Sequence, residues 1–205
     1  MHVKICGLST LEAAQTAIDS GADYLGFIFA ESKRKVTPIT AREIIRNLKG
    51  NVKKVGVFVN ESVEEISRIA EYAGLDIIQL HGTESQEMAS QLSLPVIKAI
   101  TIHSIEDLIQ VQEWKTEYIL LDLPKNQTTP IKKTLNWEEM KGKIPYSKHI
   151  FLAGGLSPEN VETAVKLIQP YAVDVSSGVE TEGTKDLAKI KAFIREAQCK
   201  EEELI

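Results

Sequence analysis

Eight short apolar runs, most of them followed by a helix-start signal, restrict this chain more than any other feature of its sequence. The runs are Val3–Cys6, Tyr24–Phe29, Val55–Val59, Ile77–Leu80, Val96–Ile100, Tyr118–Leu121, Ile150–Ala153 and Ala172–Val175. Most are continuous rather than alternating. That pattern suits parallel strands covered on both faces, because neither side of such a strand meets water.

The segments between the runs carry helix punctuation. Ser62-Val63-Glu64-Glu65 reads as a capping box, after which Ile66, Ile69, Ala70 and Ala73 share one face before Gly74. Ser9-Thr10-Leu11-Glu12 repeats the box, with Gly21 closing that helix. Thr37-Pro38 and Ser157-Pro158 each set a cap before a proline at the first helical position. A last helix is expected from about Lys185 to Ala197, with Leu187, Ile190 and Ile194 turned inward. The sixth, near Asn136–Lys141, is short and poorly periodic.

Eight strand–helix units in 205 residues predict an α/β fold, a (β/α)8 TIM barrel, near the lower size limit of a class that typically runs to about 250 residues. A doubly wound open sheet competes with it. The count of eight, and the lack of Gly-x-Gly-x-x-Gly after the first run, favour the barrel. No linker or repeat divides the chain. We therefore expect a single domain over residues 1–198, followed by a polar tail, 199–205.

A net charge of −5 argues against nucleic acid or an anionic membrane as partner, since both attract clustered Lys and Arg. No apolar run approaches the roughly 20 residues that span a bilayer, and no secretory signal is apparent at the start. Cys6 and Cys199 stand near opposite ends, the second in a polar tail, so no structural disulfide is expected. These features lead to the expectation of a cytoplasmic monomer.

In such a barrel, catalytic groups lie after the C-terminal ends of the strands. That rule nominates Cys6 and Gly7, Ser32 and Arg34, Asn60, His81 and Gly82, Asp122, Gly154-Gly155, and Ser176-Ser177-Gly178. Small residues after strands seven and eight free backbone N–H groups to approach a phosphate. Each cluster alone could be only a turn; two on adjacent strands point to a phosphorylated small-molecule ligand. Asp122 directly after an apolar run would be costly unless solvated or paired. A thiolate and a carboxylic acid across a barrel mouth make a plausible acid–base pair. A lone histidine such as His81 more often orients or packs than carries protons. No Cys/His/Asp/Glu set has metal-ligand spacing, and no metal is expected.

Several motifs, taken in order, resemble phosphoribosylanthranilate isomerases. They include Lys4-Ile5-Cys6-Gly7-Leu8, Gly21-Ala22-Asp23-Tyr24-Leu25-Gly26-Phe27-Ile28-Phe29, Ser32-Lys33-Arg34-Lys35-Val36, and Gly56-Val57-Phe58-Val59-Asn60. Gln79-Leu80-His81-Gly82, Ile97-Lys98-Ala99, Leu120-Leu121-Asp122, Leu152-Ala153-Gly154-Gly155-Leu156 and Asp174-Val175-Ser176-Ser177-Gly178-Val179-Glu180 continue the match. The resemblance implies an Amadori rearrangement in tryptophan biosynthesis with no cofactor. It casts Asp122 as general acid, Cys6 as base, Arg34 as partner of the anthranilate carboxylate, and the backbone at Gly154, Gly155, Ser177 and Gly178 as phosphate holder. His81 and Ser176 complete the expected binding residues.

One stretch departs from the family pattern. Where relatives carry a glycine-rich segment after the aspartate, this chain reads Leu123-Pro124-Lys125-Asn126-Gln127-Thr128-Thr129-Pro130-Ile131-Lys132-Lys133-Thr134, although Trp137 survives. Two other readings therefore stand beside the first: a different phosphosugar isomerase or epimerase on the same barrel, and a ligand-binding relative with impaired turnover.

Overall fold

The computed structural model describes residues 1–122, 137–145 and 147–198. The departing stretch after Asp122 and the tail with Cys199 lie outside the described residues. Eight parallel strands close into a barrel in sequence order. They are β1 His2–Cys6, β2 Tyr24–Ile28, β3 Lys53–Phe58, β4 Ile77–Leu80, β5 Val96–Thr101, β6 Tyr118–Asp122, β7 His149–Leu152 and β8 Ala172–Val175. Closure is made by β1 pairing with β8, which sets Lys4 opposite Asp174. Among the described residues, no helix is long and apolar enough to cross a membrane.

Alternation is hidden inside the continuous apolar runs. Tyr24, Val55, Ile77, Ile97, Leu120, Phe151 and Ala172 pack together in the barrel interior, while Val3, Ile5, Leu25, Phe27 and Ile78 join the larger cluster beneath the helices. Both sets are apolar because both faces are covered, which erases the period-two signal. The same parity turns Lys4, Cys6, Gln79, His81, Asp122 and Asp174 inward, stacked toward the C-terminal mouth.

The helices are α1 Leu11–Asp19, α2 Pro38–Asn47, α3 Val63–Ala73, α4 Gln86–Ser90, α5 Ile109–Glu113, α6 Trp137–Met140, α7 Val161–Ile168 and α8 Leu187–Gln198. The Ser62 hydroxyl accepts from Glu65 N, and Gly74 ends α3 at φ 78°. Thr37 caps α2 ahead of Pro38. Three expectations need correction. The cap of α1 is Thr10, whose hydroxyl accepts from Ala13 N, rather than Ser9. Helix α7 starts at Val161 rather than at Pro158; residues 158–160 form a turn ahead of it, in which Asn160 Oδ1 accepts from Ser157 N at 2.8 Å. Lys185 belongs to a small antiparallel ribbon, β9 Glu180–Thr181 with β10 Thr184–Lys185, rather than to the last helix. Glu182 and Gly183, both at positive φ, make its turn.

Candidate active site

The C-terminal mouth of the barrel holds a cavity of about 250 Å³. All nine residues given binding or catalytic roles above line it: Cys6, Arg34, His81, Asp122, Gly154, Gly155, Ser176, Ser177 and Gly178. Ser32 lines it too. Gly7, Asn60 and Gly82, also nominated by position, do not; the last two serve elsewhere. They knit the loops after β3 and β4 together: Asn60 Oδ1 accepts from Thr83 N at 2.8 Å, and Glu84 accepts from Asn60 N and Gly82 N.

Cys6 ends β1 and is buried, with only 5 % of its surface exposed. Its sulfur fits because residue 26 on the adjoining strand is glycine; a Cβ there would sit 2.7 Å from Sγ. Burial pushes the thiol up, since a thiolate loses hydration inside a protein. The ammonium groups of Lys4 and Lys185 pull it back down, and the Asp174 carboxylate adds to the rise. Lys4 is wholly buried and donates to Asp174 Oδ1 at 2.9 Å. Burial alone would lower the Lys4 ammonium; the carboxylate outweighs it and holds it above its ordinary value.

Asp122 ends β6 on the far side of the mouth. His81 Nε2 lies 3.1 Å from its Oδ2, and the other ring nitrogen, Nδ1, lies 3.1 Å from Gln79 Nε2. Three side chains from two strands thus form one hydrogen-bonded line ending at the carboxyl group. Pairing with His81 also resolves the cost of a carboxylate next to Ile119-Leu120-Leu121.

Arg34 reaches the cavity from the loop after β2. Glu180 accepts from its Nε at 2.5 Å and its Nη2 at 2.7 Å, a two-pronged pairing that holds the guanidinium plane. That bond keeps Arg34 above its ordinary value. Burial pushes Glu180 up, but bonds from Arg34 and Lys185 outweigh it and leave the carboxyl below the usual range. Lys185 Nζ donates to Glu180 Oε1 at 2.6 Å and to Ser176 O at 2.9 Å. Desolvation lowers the Lys185 ammonium despite its partner.

The loops after β7 and β8 meet closely. Gly154 and Gly155 both take positive φ, 87° and 69°, a conformation that costs glycine little. At Gly178 the constraint is space: a Cβ would stand 1.9 Å from the Leu156 carbonyl oxygen. Among the described residues no group of three His, Cys, Asp or Glu side chains is placed to hold a metal ion.

Positional reasoning did not assign roles to Lys4, Gln79, Asp174, Glu180 and Lys185. Lys4, Gln79 and Asp174 did leave a signal, being polar residues within runs otherwise apolar on both faces. Lys185 left none, because its helical expectation was wrong.

A closed parallel barrel with an acid, a thiol and a clamped arginine at its C-terminal mouth defines a (β/α)8-barrel enzyme. Residues 3–196 match the sequence profile of the family described as N-(5'phosphoribosyl)anthranilate (PRA) isomerase. The chain belongs to that family. The N-(5'-phosphoribosyl)anthranilate isomerase of Bacillus cereus (strain B4264) is 50% identical over 201 residues, which cover 97% of this chain and 98% of that one. The crystal structure of phosphoribosyl anthranilate isomerase from Thermotoga maritima superposes with a TM-score of 0.86 at 40% identity, covering 96% of this chain and 98% of the other. A second solved structure of such an isomerase, in complex with reduced 1-(o-carboxyphenylamino)-1-deoxyribulose 5-phosphate, gives 0.84 at 40% identity with the same coverage.

Proposed function

We propose that Cys6 and Asp122 are the base and acid with which this chain, an isomerase of tryptophan biosynthesis, converts N-(5'-phosphoribosyl)anthranilate to 1-(2-carboxyphenylamino)-1-deoxyribulose 5-phosphate. The observation that carries the assignment is their shared cavity: thiol and carboxyl group enter it from β1 and β6, with Arg34 and the β7–β8 loops around them.

The chemistry follows from the placement. Asp122 gives its proton to the furanose ring oxygen as the C1′–O bond breaks, leaving a Schiff base. The Cys6 thiolate then takes the proton from C2′, and the enolamine that forms tautomerises to the ketone. A neutral thiol is a poor base, so the charge on Lys4 and Lys185 favours the reactive form. Arg34, with one edge held by Glu180, offers its remaining N–H donors to the anthranilate carboxylate. Backbone N–H groups at Gly154, Gly155, Ser177 and Gly178 hold the phosphate, with Ser176 and His81 lining the same pocket. Both proton transfers use side chains, so no cofactor is invoked.

We read the working form as a monomer built on one barrel domain, residues 1–198, and the composition as that of a cytoplasmic enzyme. The test is the loss of anthranilate fluorescence on purified protein, with the substrate generated in situ. Rapid loss that fails in Asp122→Asn supports the assignment; equal rates in the two proteins would end it.

A further inference from the structure

The line Gln79–His81–Asp122 contains an ambiguity with chemical consequences. Gln79 is 1 % exposed, faces the barrel interior, and its Oε1 has no hydrogen-bond partner. Its amide therefore has a partner on one side only, namely His81 Nδ1. An imidazole nitrogen can donate or accept, so it can serve either orientation of that amide.

The two orientations carry different numbers of protons. With the Gln79 NH2 group donating to Nδ1, the His81 proton sits on Nε2 and points at the Asp122 carboxylate. Asp122 then has nothing to give. With the Gln79 carbonyl toward Nδ1, that nitrogen carries a proton of its own. A second proton, taken from solvent, is then shared between Nε2 and Oδ2 across 3.1 Å, and Asp122 can deliver it.

We propose that Gln79 is a positioning residue whose amide orientation, read through His81, decides whether Asp122 holds the proton it donates. The proposal rests on Asp122 being the acid. It goes beyond that reading because Gln79 touches no substrate atom in the scheme. In this scheme the falling limb of kcat/KM with pH reports loss of the proton held between His81 Nε2 and Asp122 Oδ2. Among the described residues, the charged or titratable groups facing them are Cys6 from β1, Asp174 from β8, and Glu31 and Arg34 from the loop after β2. Lys4 and Lys185 stand behind Cys6. Glu84 and Lys98, bonded to one another at 2.7 Å, lie behind the ends of β4 and β5. Gln79's own flanks on β3 and β5 are Val57 and Ile97, which neither donate nor accept.

The experiment follows the imidazole nitrogen NMR signals of His81, assigned by their loss in His81→Asn, across the falling limb of the wild-type enzyme. We expect Nδ1 to gain its proton over the same pH interval in which activity returns. In Gln79→Glu, whose carboxylate can only accept from Nδ1, both transitions should move together to higher pH. In Gln79→Met, which can do neither, kcat should fall about tenfold or more with KM changed little, a loss in the range of general acid catalysis. An Nδ1 that stays unprotonated through the wild-type falling limb overturns the proposal, as does a folded Gln79→Glu with an unshifted profile. If Gln79→Glu does not fold, the wild-type titration alone decides. Failure of the acid assignment would show separately, as full activity in Asp122→Asn.

Discussion

Lys4 Nζ and Asp174 Oδ1 meet at 2.9 Å inside the barrel wall, on strands that close the cylinder, one inward position below Cys6. An ion pair in the interior is a weak source of stability but a strong source of local potential. In the proposed scheme Cys6 is the base, so loss of the thiol proton next to that ion pair should set the rising limb of kcat/KM with pH. Lys4→Met removes the largest charge that favours the thiolate, so the rising limb should move to higher pH. Leaving Asp174 unpaired should also cost about 3–5 kcal/mol of folding stability, recovered in part by adding Asp174→Asn. pH–rate profiles and urea unfolding of the single and double variants check both.

Asp122→Asn should leave the far-ultraviolet dichroism and melting curve close to wild type while turnover falls by about a hundredfold to ten-thousandfold, the usual contribution of a placed acid or base. Fluorescence-detected turnover in the two proteins decides it.

Arg34→Lys keeps the charge and loses the fork. Lysine cannot return both bonds that Glu180 now accepts, and the ammonium is no longer held in a plane. We expect KM to rise about tenfold or more with a smaller fall in kcat. Steady-state kinetics on the substrate provide the measurement; an unchanged KM would remove Arg34 from binding.

Gly178→Ala should disturb the loops after β7 and β8, since the new methyl group would meet the Leu156 carbonyl oxygen. Overpacking of this kind costs about 1–3 kcal/mol. The loss should appear in thermal unfolding, accompanied by weaker inhibition by inorganic phosphate.

Acid sensitivity has a defined source. Burial pushes the Glu84 carboxyl up, but Lys98 and the backbone N–H of Asn60 outweigh it and hold it below the usual range. A carboxylate depressed in the folded state stabilises it above the unfolded value, about pH 4.3, and that contribution fades as pH falls through the folded value. Urea midpoints should therefore drop below about pH 4.3 in the wild type. The slope should be shallower in Glu84→Gln, which is also less stable at neutral pH.

The chain carried much of this in its local pattern. Eight apolar runs and their caps located eight strands, because a strand covered on both faces has few residues to choose from. Thr37-Pro38 and Ser62 marked helix starts through bonds that span only three residues. The strand-end rule picks out Cys6, Arg34, His81, Asp122 and the β7–β8 glycines, which line one cavity. Ser157-Pro158 marked the approach to α7 but not its first residue, since a turn over 158–160 precedes Val161.

What only the tertiary structure decided is who faces whom across the barrel. Nothing in the order of residues says that Glu180 grips Arg34, that Lys185 leaves the last helix for a ribbon beside Ser176, or that Lys4 has Asp174 for its partner 170 residues away. Such contacts are set by strand register and by the closure of β8 on β1. Those depend on the packing of the whole cylinder, whereas caps and apolar runs depend on neighbours a few bonds apart.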